Sequence, residues 1–394
     1  MNLLRVKFLH KRRILVLITI LSLASILFST TAYSFLGFYN GFTSYVGEEK
    51  DILAVYSKLG NTPFTGIVPV AAANHIATIE GVIAVSPEAF APCVINNQSV
   101  FVRGVLPQEL KKLNNITITS GENIELNDAN YALTGKNLAQ RLNLKTDQKI
   151  VVFSVMSQKY VELTIKGIFT SDSPLDDEIL VPLYVAQWLR GLTYNDATLI
   201  RTKIDLTQTN QNLIFNALKN ISEPTTPTSP KPTETPRFDT LIPITQPGIN
   251  IQNIGVEESQ KFMSSYLSRY GISKDTLVVL SIAVLFFAGG TAAASITLFV
   301  KQHNSEIDIL RSLGVTKRKI KLNLIAHMAA WALAATVIGT ATSAAIMFGF
   351  QEVGYLQVLS HSLKFQLDPL IPAANFAVLT VLAAVNIVRA EFKP

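Results

Sequence analysis

Apolar residues along this chain gather in four long blocks, and between the first two blocks the pattern changes period altogether. Residues 14–36 run 23 positions without a charge and 277–300 run 24. Residues 322–350 run 29 with His327 as the one ionisable group, and 370–388 run 19 with none. A helix needs about 20 residues to cross the ~30 Å hydrocarbon core of a bilayer, so each block is long enough. The first follows the basic start "LHKRR", as a signal peptide would, but its run is longer than such peptides use and "TTAYSFLGFY" is a poor cleavage site. Four membrane helices are predicted.

Residues 37–276, between the first two blocks, read as short strands and helices. "YVELTIKGIF" puts Val161, Leu163 and Ile165 on one face and Glu162, Thr164 and Lys166 on the other. "DILAVYS", "SVFVRGVLP" and "KIVVFSV" read as further strands. "HIATIEGVIAVSP" reads as a helix end, a turn at Gly81 and a strand through Val82, Ile83 and Val85. "TGKNLAQRLNL" predicts a short helix capped by Thr134 that packs Leu138 and Leu142. "EILVPLYVAQWLR" predicts a strand and then a helix with Pro182 near its start. The expected fold is a membrane protein with four transmembrane α-helices and a large α+β domain inserted between helices 1 and 2. Residues 222–247 are rich in proline and threonine with almost no aliphatic residue before Leu241, which predicts a disordered linker.

Charge orients these elements. The basic terminus 1–13 holds five Lys/Arg and no acid, the loop 301–321 holds six, and the tail 389–394 holds Arg389 and Lys393. The loop 351–369 has only Lys364, with Glu352 and Asp368. Basic residues mark the cytoplasmic side of short loops, so both termini are expected inside a cell membrane crossed four times, with 37–276 extracellular. The formal net charge of +6 therefore reports the cytoplasmic side. Without it the remainder is mildly acidic, which excludes a nucleic-acid partner.

Little catalytic chemistry is visible. The sequence holds no G-x-S-x-G, H-E-x-x-H or CxxC, and no G-x-x-x-x-G-K-[ST] phosphate loop, so nucleotide hydrolysis by that route is excluded. Cys93 alone forms no disulfide framework and reads as a small buried apolar residue. "SDSPLDDE" brings Asp172, Asp176, Asp177 and Glu178 together, but it lacks the glycine and ligand spacing of a calcium loop and reads as a solvated acidic turn. His327 and Trp331 share one face of the third span, either as an intramembrane functional pair or as a histidine satisfied within a bundle. Asn97, Asn115 and Asn220 begin N-x-S/T triplets on the expected outer side, where N-glycosylation would be open to them.

The loop 301–321, "KQHNSEIDILRSLGVTKRKIK", is more than a connector. Ser305 and Asp308 have capping-box spacing, Ile307, Leu310 and Leu313 form an apolar stripe, and Gly314 suits the left-handed stop of a helix. Thr316 then caps a second helix leading into the third span. Lys317, Arg318, Lys319 and Lys321 suit anionic headgroups, which leaves the capped helix and its corner for something else in the cytoplasm.

The stretch "SEIDILRSLGVTKRKIKLNL" resembles the cytoplasmic loop of FtsX/MacB-type permeases of ABC transporters, with the pattern E-I-x-x-L-R-x-x-G-x-x-x-x-x-I. "GVIAVSP", "VRGVLP", "LTGKNLAQRLNLKTDQKI", "IKGIF" and "LDDEILVPLYVAQWL" resemble the MacB core domain in series. Departures are the Pro/Thr-rich insertion, Thr146 in place of a glycine before aspartate, and a short "VNIVRAEFKP" end. The resemblance implies a permease subunit that binds no cofactor itself, with ATP and Mg on a partner. That partner is a dimer of ABC ATPase subunits, and a second permease subunit, identical or not, completes the assembly in the lipid bilayer. Glu306–Leu313 would dock in an ATPase groove, with Ile307, Leu310 and Leu313 as anchors, Glu306 and Arg311 setting register, and Gly314 making the corner. Nucleotide-driven closure would move the outer domain, either in mechanotransmission or in export or extraction of a substrate. Polar groups that would line a solute path are scarce in the spans, which favours mechanotransmission. The alternative is a membrane-anchored extracellular receptor or scaffold with no ATPase.

Overall fold

The computed structural model describes residues 11–222, 253–352, 356–358, 360–362 and 365–390. The linker expected at 222–247 lies almost entirely outside them. Helix α1 (Lys11–Thr43) carries the first apolar block. Strands β1 (Ile52–Ser57) and β2 (Val68–Pro69) and helix α2 (Val70–Ile76) lead to Gly81, whose φ of +82° makes the expected turn into β3 (Val82–Ile95). Asn96 and Asn97 are both left-handed, at φ 47° and 65°, and turn the chain tightly into β4 (Gln98–Val105). Then come α3 (Pro107–Leu113), β5 (Thr117–Gly121), β6 (Tyr131–Gly135), α4 (Lys136–Leu142), β7 (Lys149–Ser154) and β8 (Tyr160–Thr170). A 3-10 turn (Pro174–Asp177) runs into β9 (Glu178–Pro182), followed by α5 (Leu183–Arg190), β10 (Asp196–Ala197), β11 (Leu199–Ile204) and α6 (Gln211–Ser222). Beyond β12 (Ile254–Glu258) and α7 (Ser259–Arg269) the chain is helical: α8 (Lys274–Gln302), α9 (Asn304–Ser312) and α10 (Lys317–Glu352). Two short strands, β13 (Gln357–Val358) and β14 (His361–Ser362), precede α11 (Leu370–Arg389).

Contacts divide the chain into two units. The inserted domain comprises Gly41–Tyr270 together with Val358–Ser362; the helical unit takes the described parts of Met1–Asn40, Gly271–Gln357 and Leu363–Pro394. In the inserted domain one sheet runs β12-β1-β11-β3-β4-β9-β6-β8-β5, with β7 pairing β3 and β8. Pairing is antiparallel except for β4 with β9 and β6 with β8. Strand β3 is the pivot, because Ala84–Glu88 pair with β11 and Ala89–Ile95 with β4. One core packs Leu53, Val55 and Ile200 against Ile76, Ile214 and Leu218 of α2 and α6. Another packs Val102, Leu163, Ile165 and Ile179 against Leu138 and Ala186 of α4 and α5. A third is aromatic, with Tyr45, Phe64, Phe90, Phe101, Phe262 and Tyr266.

Thr134 does not cap α4. Strand β6 continues to Gly135, which takes the N-cap position, and Thr134 is a buried strand residue. A Cβ at Gly135 would overlap the backbone of Asp176, so only glycine lets the acidic turn approach so closely.

In the helical unit, α1, α8, α10 and α11 are each long and apolar enough to cross a membrane. They overrun the predicted spans because polar ends stay helical; α10 begins at Lys317 rather than Leu322. Their core holds Leu17, Leu21, Ile296, Met328, Ala335 and Leu379. Ala335 and Ser343, spaced four apart from Gly339 on α10, are buried, and a Cβ at Gly339 would overlap Ser25, so α1 and α10 approach closely there.

Candidate functional site

Helix α9 is held as a rigid corner. Its first cap is His303, not Ser305, whose hydroxyl donates to Glu306 Oε2 at 3.1 Å within the first turn. At its end Gly314 is left-handed at φ +85°. The Gly314 N–H donates to Arg311 O at 2.9 Å and the Val315 N–H to Leu310 O at 3.2 Å, the paired bonds of a Schellman stop. Leu310 and Val315 pack on the same helical-unit core. Helix α10 then starts with Ile320 N–H donating to Thr316 O at 3.2 Å.

The apolar stripe of α9 divides between two surroundings. Ile307 is 6% exposed and lies in the bundle core, with Leu310 half-buried against it, whereas Ile309 is 50% and Leu313 72% exposed. Burying an Ile side chain contributes about 1.5–3 kcal/mol. The Arg13–Glu306 ion pair, 3.7 Å long and partly exposed, contributes about 1 kcal/mol at most. Packing, not charge, therefore fixes α9. Burial disfavours the ionised Glu306 carboxyl, but its own backbone N–H, Ser305, His303 and Arg13 outweigh this and hold it below the usual range. Arg13 also donates to Gln302 O at 2.7 Å, and Arg311 lies 3.9 Å from Asp308. Of the six residues expected to make the docking contact, only Leu313 and Gly314 face solvent fully. Ile309, which the stripe left out, joins them four residues before Leu313.

Sequence reasoning missed a second assembly, inside the inserted domain. Four fully buried charged residues from four strands form a chain: Arg201 (β11), Glu88 (β3), Arg103 (β4) and Glu178 (β9). Arg201 Nε donates to Glu88 Oε1 at 2.7 Å, and Arg103 Nη1 donates to Glu88 Oε2 at 3.1 Å. Arg103 Nε and Nη2 grip both oxygens of Glu178 at 2.5 and 2.8 Å. The outer arginine donors reach the main chain just after α1: Arg103 Nη2 to Tyr45 O at 3.4 Å and Arg201 Nη1 to Val46 O at 3.1 Å. The Arg103 guanidinium also stacks 4.5 Å from the Phe90 ring and 5.0 Å from that of Tyr45. Burial alone would push the Glu178 carboxyl up, but Arg103 and His361 hold it down at about 2.

The acidic turn is not solvated, contrary to its sequence reading. Asp176, Asp177 and Glu178 are buried and Asp172 alone is exposed. Each buried carboxylate has protein donors: Asp176 Oδ1 accepts from the Ser171 N–H at 2.6 Å, and Asp177 Oδ1 from Arg141 Nη1 at 2.8 Å. Backbone closure at Gly135 buries the turn, and buried carboxylates need such partners. Among the described residues no cluster of His, Cys, Asp or Glu is arranged to hold a metal ion.

The remaining candidates fall into place individually. Burial pushes the Cys93 thiol up to about 12, which suits a core residue. His327 Nδ1 pairs with Asn323 O at 2.8 Å on its own helix, and its ring lies 5.9 Å from that of Trp331. Asn97 sits exposed in the β3–β4 turn and Asn115 is exposed after α3, while Asn220 lies in the last turn of α6. The bundle interior is more polar than its composition suggests. Asn375 Nδ2 donates to Ser25 Oγ, Thr30 Oγ1 donates to Ser343 Oγ at 3.0 Å, and Ser22, Ser29 and Thr336 are buried near the same helices. Gly339 brings α10 against Ser25 of α1 beside these contacts.

Residues 278–389 match a family model described as FtsX-like permease C-terminal, so α8 to α11 form an FtsX-like permease domain. Among solved structures, the periplasmic region of MacB from Actinobacillus actinomycetemcomitans aligns with 55% of this chain and 92% of its own, at 10% identity and a TM-score of 0.36. The extracellular domain of the noncanonic ABC-type transporter YknZ from Gram-positive bacteria aligns with 42% of this chain and 88% of its own, at 13% identity and a TM-score of 0.31. A comparison with curated proteins finds no match.

Proposed function

We propose that this chain, a multi-pass membrane protein with an FtsX-like permease domain at 278–389, is the permease subunit of an ABC transporter whose ATP hydrolysis belongs to a separate ATPase. The observation that carries this reading is α9: a helix pinned by Ile307 and its Schellman corner that holds Ile309 and Leu313 out to solvent. Exposed apolar residues four apart on one helix suit a helix-in-groove contact. The docking anchors are thus Ile309 and Leu313, while Ile307 and Leu310 tie the helix to the bundle. Force applied to α9 would pass through Ile307 to α8 and α10, and through Arg13 to α1. Each ATPase of a dimer would take one such helix from one of two paired permease subunits. The basic segments favour α9 and both termini in the cytoplasm and the inserted domain outside. Movement of that domain, rather than passage of cargo through the bundle, suits a tightly packed polar interior.

The test is purification of the full chain in mild detergent, with mass spectrometry of any companion bearing a phosphate loop. Ile309→Asp with Leu313→Asp should abolish recovery of that ATPase, while Lys317→Gln with Lys319→Gln should reduce it little. Loss caused by the lysine changes alone would make the contact electrostatic. Absence of any ATPase with the unaltered protein would leave the receptor or scaffold reading in its place.

A further inference from the structure

Between α10 and α11 the chain returns to the inserted domain at Val358–Ser362. His361, 4% exposed, sets its ring edge-on to Tyr45 at 4.6 Å, and its Nε2 lies 2.8 Å from Glu178 Oε1. The Ser362 N–H and hydroxyl both donate to Asp177, at 3.0 and 2.9 Å. Ser360 O accepts from Arg141 Nη2 at 3.1 Å, and its hydroxyl lies 2.9 Å from that of Ser99. Three consecutive residues thus meet Ser99, Arg141, Asp177 and Glu178.

We infer that Ser360–His361–Ser362 is a releasable latch, seated on the Asp177–Glu178 turn, whose seating sets how firmly the buried charge chain holds Tyr45 and Val46 at the end of α1. Release is supported by the charge balance of what stays behind. Arg103 and Arg201 balance Glu88 and Glu178, and Arg141 remains against Asp177, so withdrawal strands no buried charge. Breaking a buried pair by removing one ion is strongly unfavourable, and this departure avoids it. The latch therefore costs only its own hydrogen bonds and the burial of one ring. Coupling follows from geometry, since His361 touches both Glu178 and Tyr45, and Arg103 holds the same two residues. The inference rests on the inserted domain alone and stands or falls independently of any ATPase.

Hydrogen exchange of the full chain in detergent micelles, read by mass spectrometry, tests it. In the unaltered protein the Ser362 amide should be protected, yet exchange through an opening insensitive to dilute denaturant while β4 and β9 exchange only on global unfolding. His361→Leu keeps an apolar group against Tyr45 and removes the Glu178 contact. It should speed exchange at Ser362 and in a peptide spanning Tyr45–Gly47 by about tenfold, the equivalent of about 1.4 kcal/mol. Strands β1, β11 and β12 should be unchanged. Ser362→Ala, which disturbs less, should speed Ser362 exchange and leave the fold intact. Exchange of Ser362 only together with β4 and β9 would make the segment ordinary core, and unprotected exchange would mean it is not seated. Acceleration at Ser362 with none at Tyr45–Gly47 would remove the coupling. Each of these outcomes overturns the proposal.

Discussion

Replacing Arg103 with methionine isolates the charge chain from the packing around it. Arg103 is fully buried and donates to Glu88 at 3.1 Å and to the two oxygens of Glu178 at 2.5 and 2.8 Å. Without it Arg201 still pairs with Glu88, but Glu178 keeps only His361 and loses the arginine that compensates its buried charge. Removing one partner of such a pair costs about 3–5 kcal/mol. Methionine keeps apolar contact with Phe90 and Tyr45, which offsets part of this and leaves a net loss of about 3 kcal/mol. With a urea slope of about 2–3 kcal/mol/M, the unfolding midpoint should fall by about 1–1.5 M. The chain contains two tryptophans, so a Trp331→Phe background leaves Trp188 of α5 as the single fluorescent reporter of the inserted domain. Adding Glu178→Gln removes the stranded charge, so the double variant should lose at least about 1 kcal/mol less than the sum of the single losses. A single-variant loss below about 1 kcal/mol, or strict additivity, would show that the arginine compensates no buried charge.

Three further outcomes are expected. Glu178 titrates at about 2 in the folded chain against an ordinary 4.5, so its contribution is complete above 4.5, declines as pH falls and is gone below about 2. The urea midpoint should drop through that window and Glu178→Gln should flatten the drop; an unchanged slope in that variant would exclude Glu178 as its source. Gly135→Ala forces a Cβ into the Asp176 backbone and should destabilise the inserted domain by about 1–3 kcal/mol, whereas Gly271→Ala, left-handed but with open space, should cost about 1 kcal/mol, so equal losses would refute the clash. Maleimide should label Cys93 only when the domain unfolds, because the thiol is buried and held near 12; rapid labelling of the native chain would contradict its core placement.

The helical blocks, the Gly81 and Gly314 stops and most strands were legible because each is written in neighbouring residues. The charge chain was not. Arg103 finds Glu178 75 positions away, and Arg201 finds Glu88 113 positions away, so each looks like a polar residue on an ordinary strand. The acidic turn misled for the same reason: a run of carboxylates looks solvated until Gly135, Arg141 and residues 361–362 are brought against it. On α9 the periodicity of Ile307 and Leu310 revealed a stripe, yet a stripe does not say whether its own bundle or a partner covers it. Ile309 lies off that stripe, yet the bundle leaves it uncovered together with Leu313.

The inserted domain is not one uninterrupted stretch of chain, since Val358–Ser362 returns to it after the three intervening helices α8, α9 and α10. A recombinant fragment cut at Gly41 and Tyr270 would keep every major strand but lack Ser360, His361 and Ser362. It would present the Asp177–Glu178 turn to solvent, with Glu178 missing its histidine and Asp177 missing both serine donors. Fusing Val358–Ser362 back through a flexible tether would restore those donors, so the boundaries chosen for expression decide which form of the domain a biochemist has in the tube.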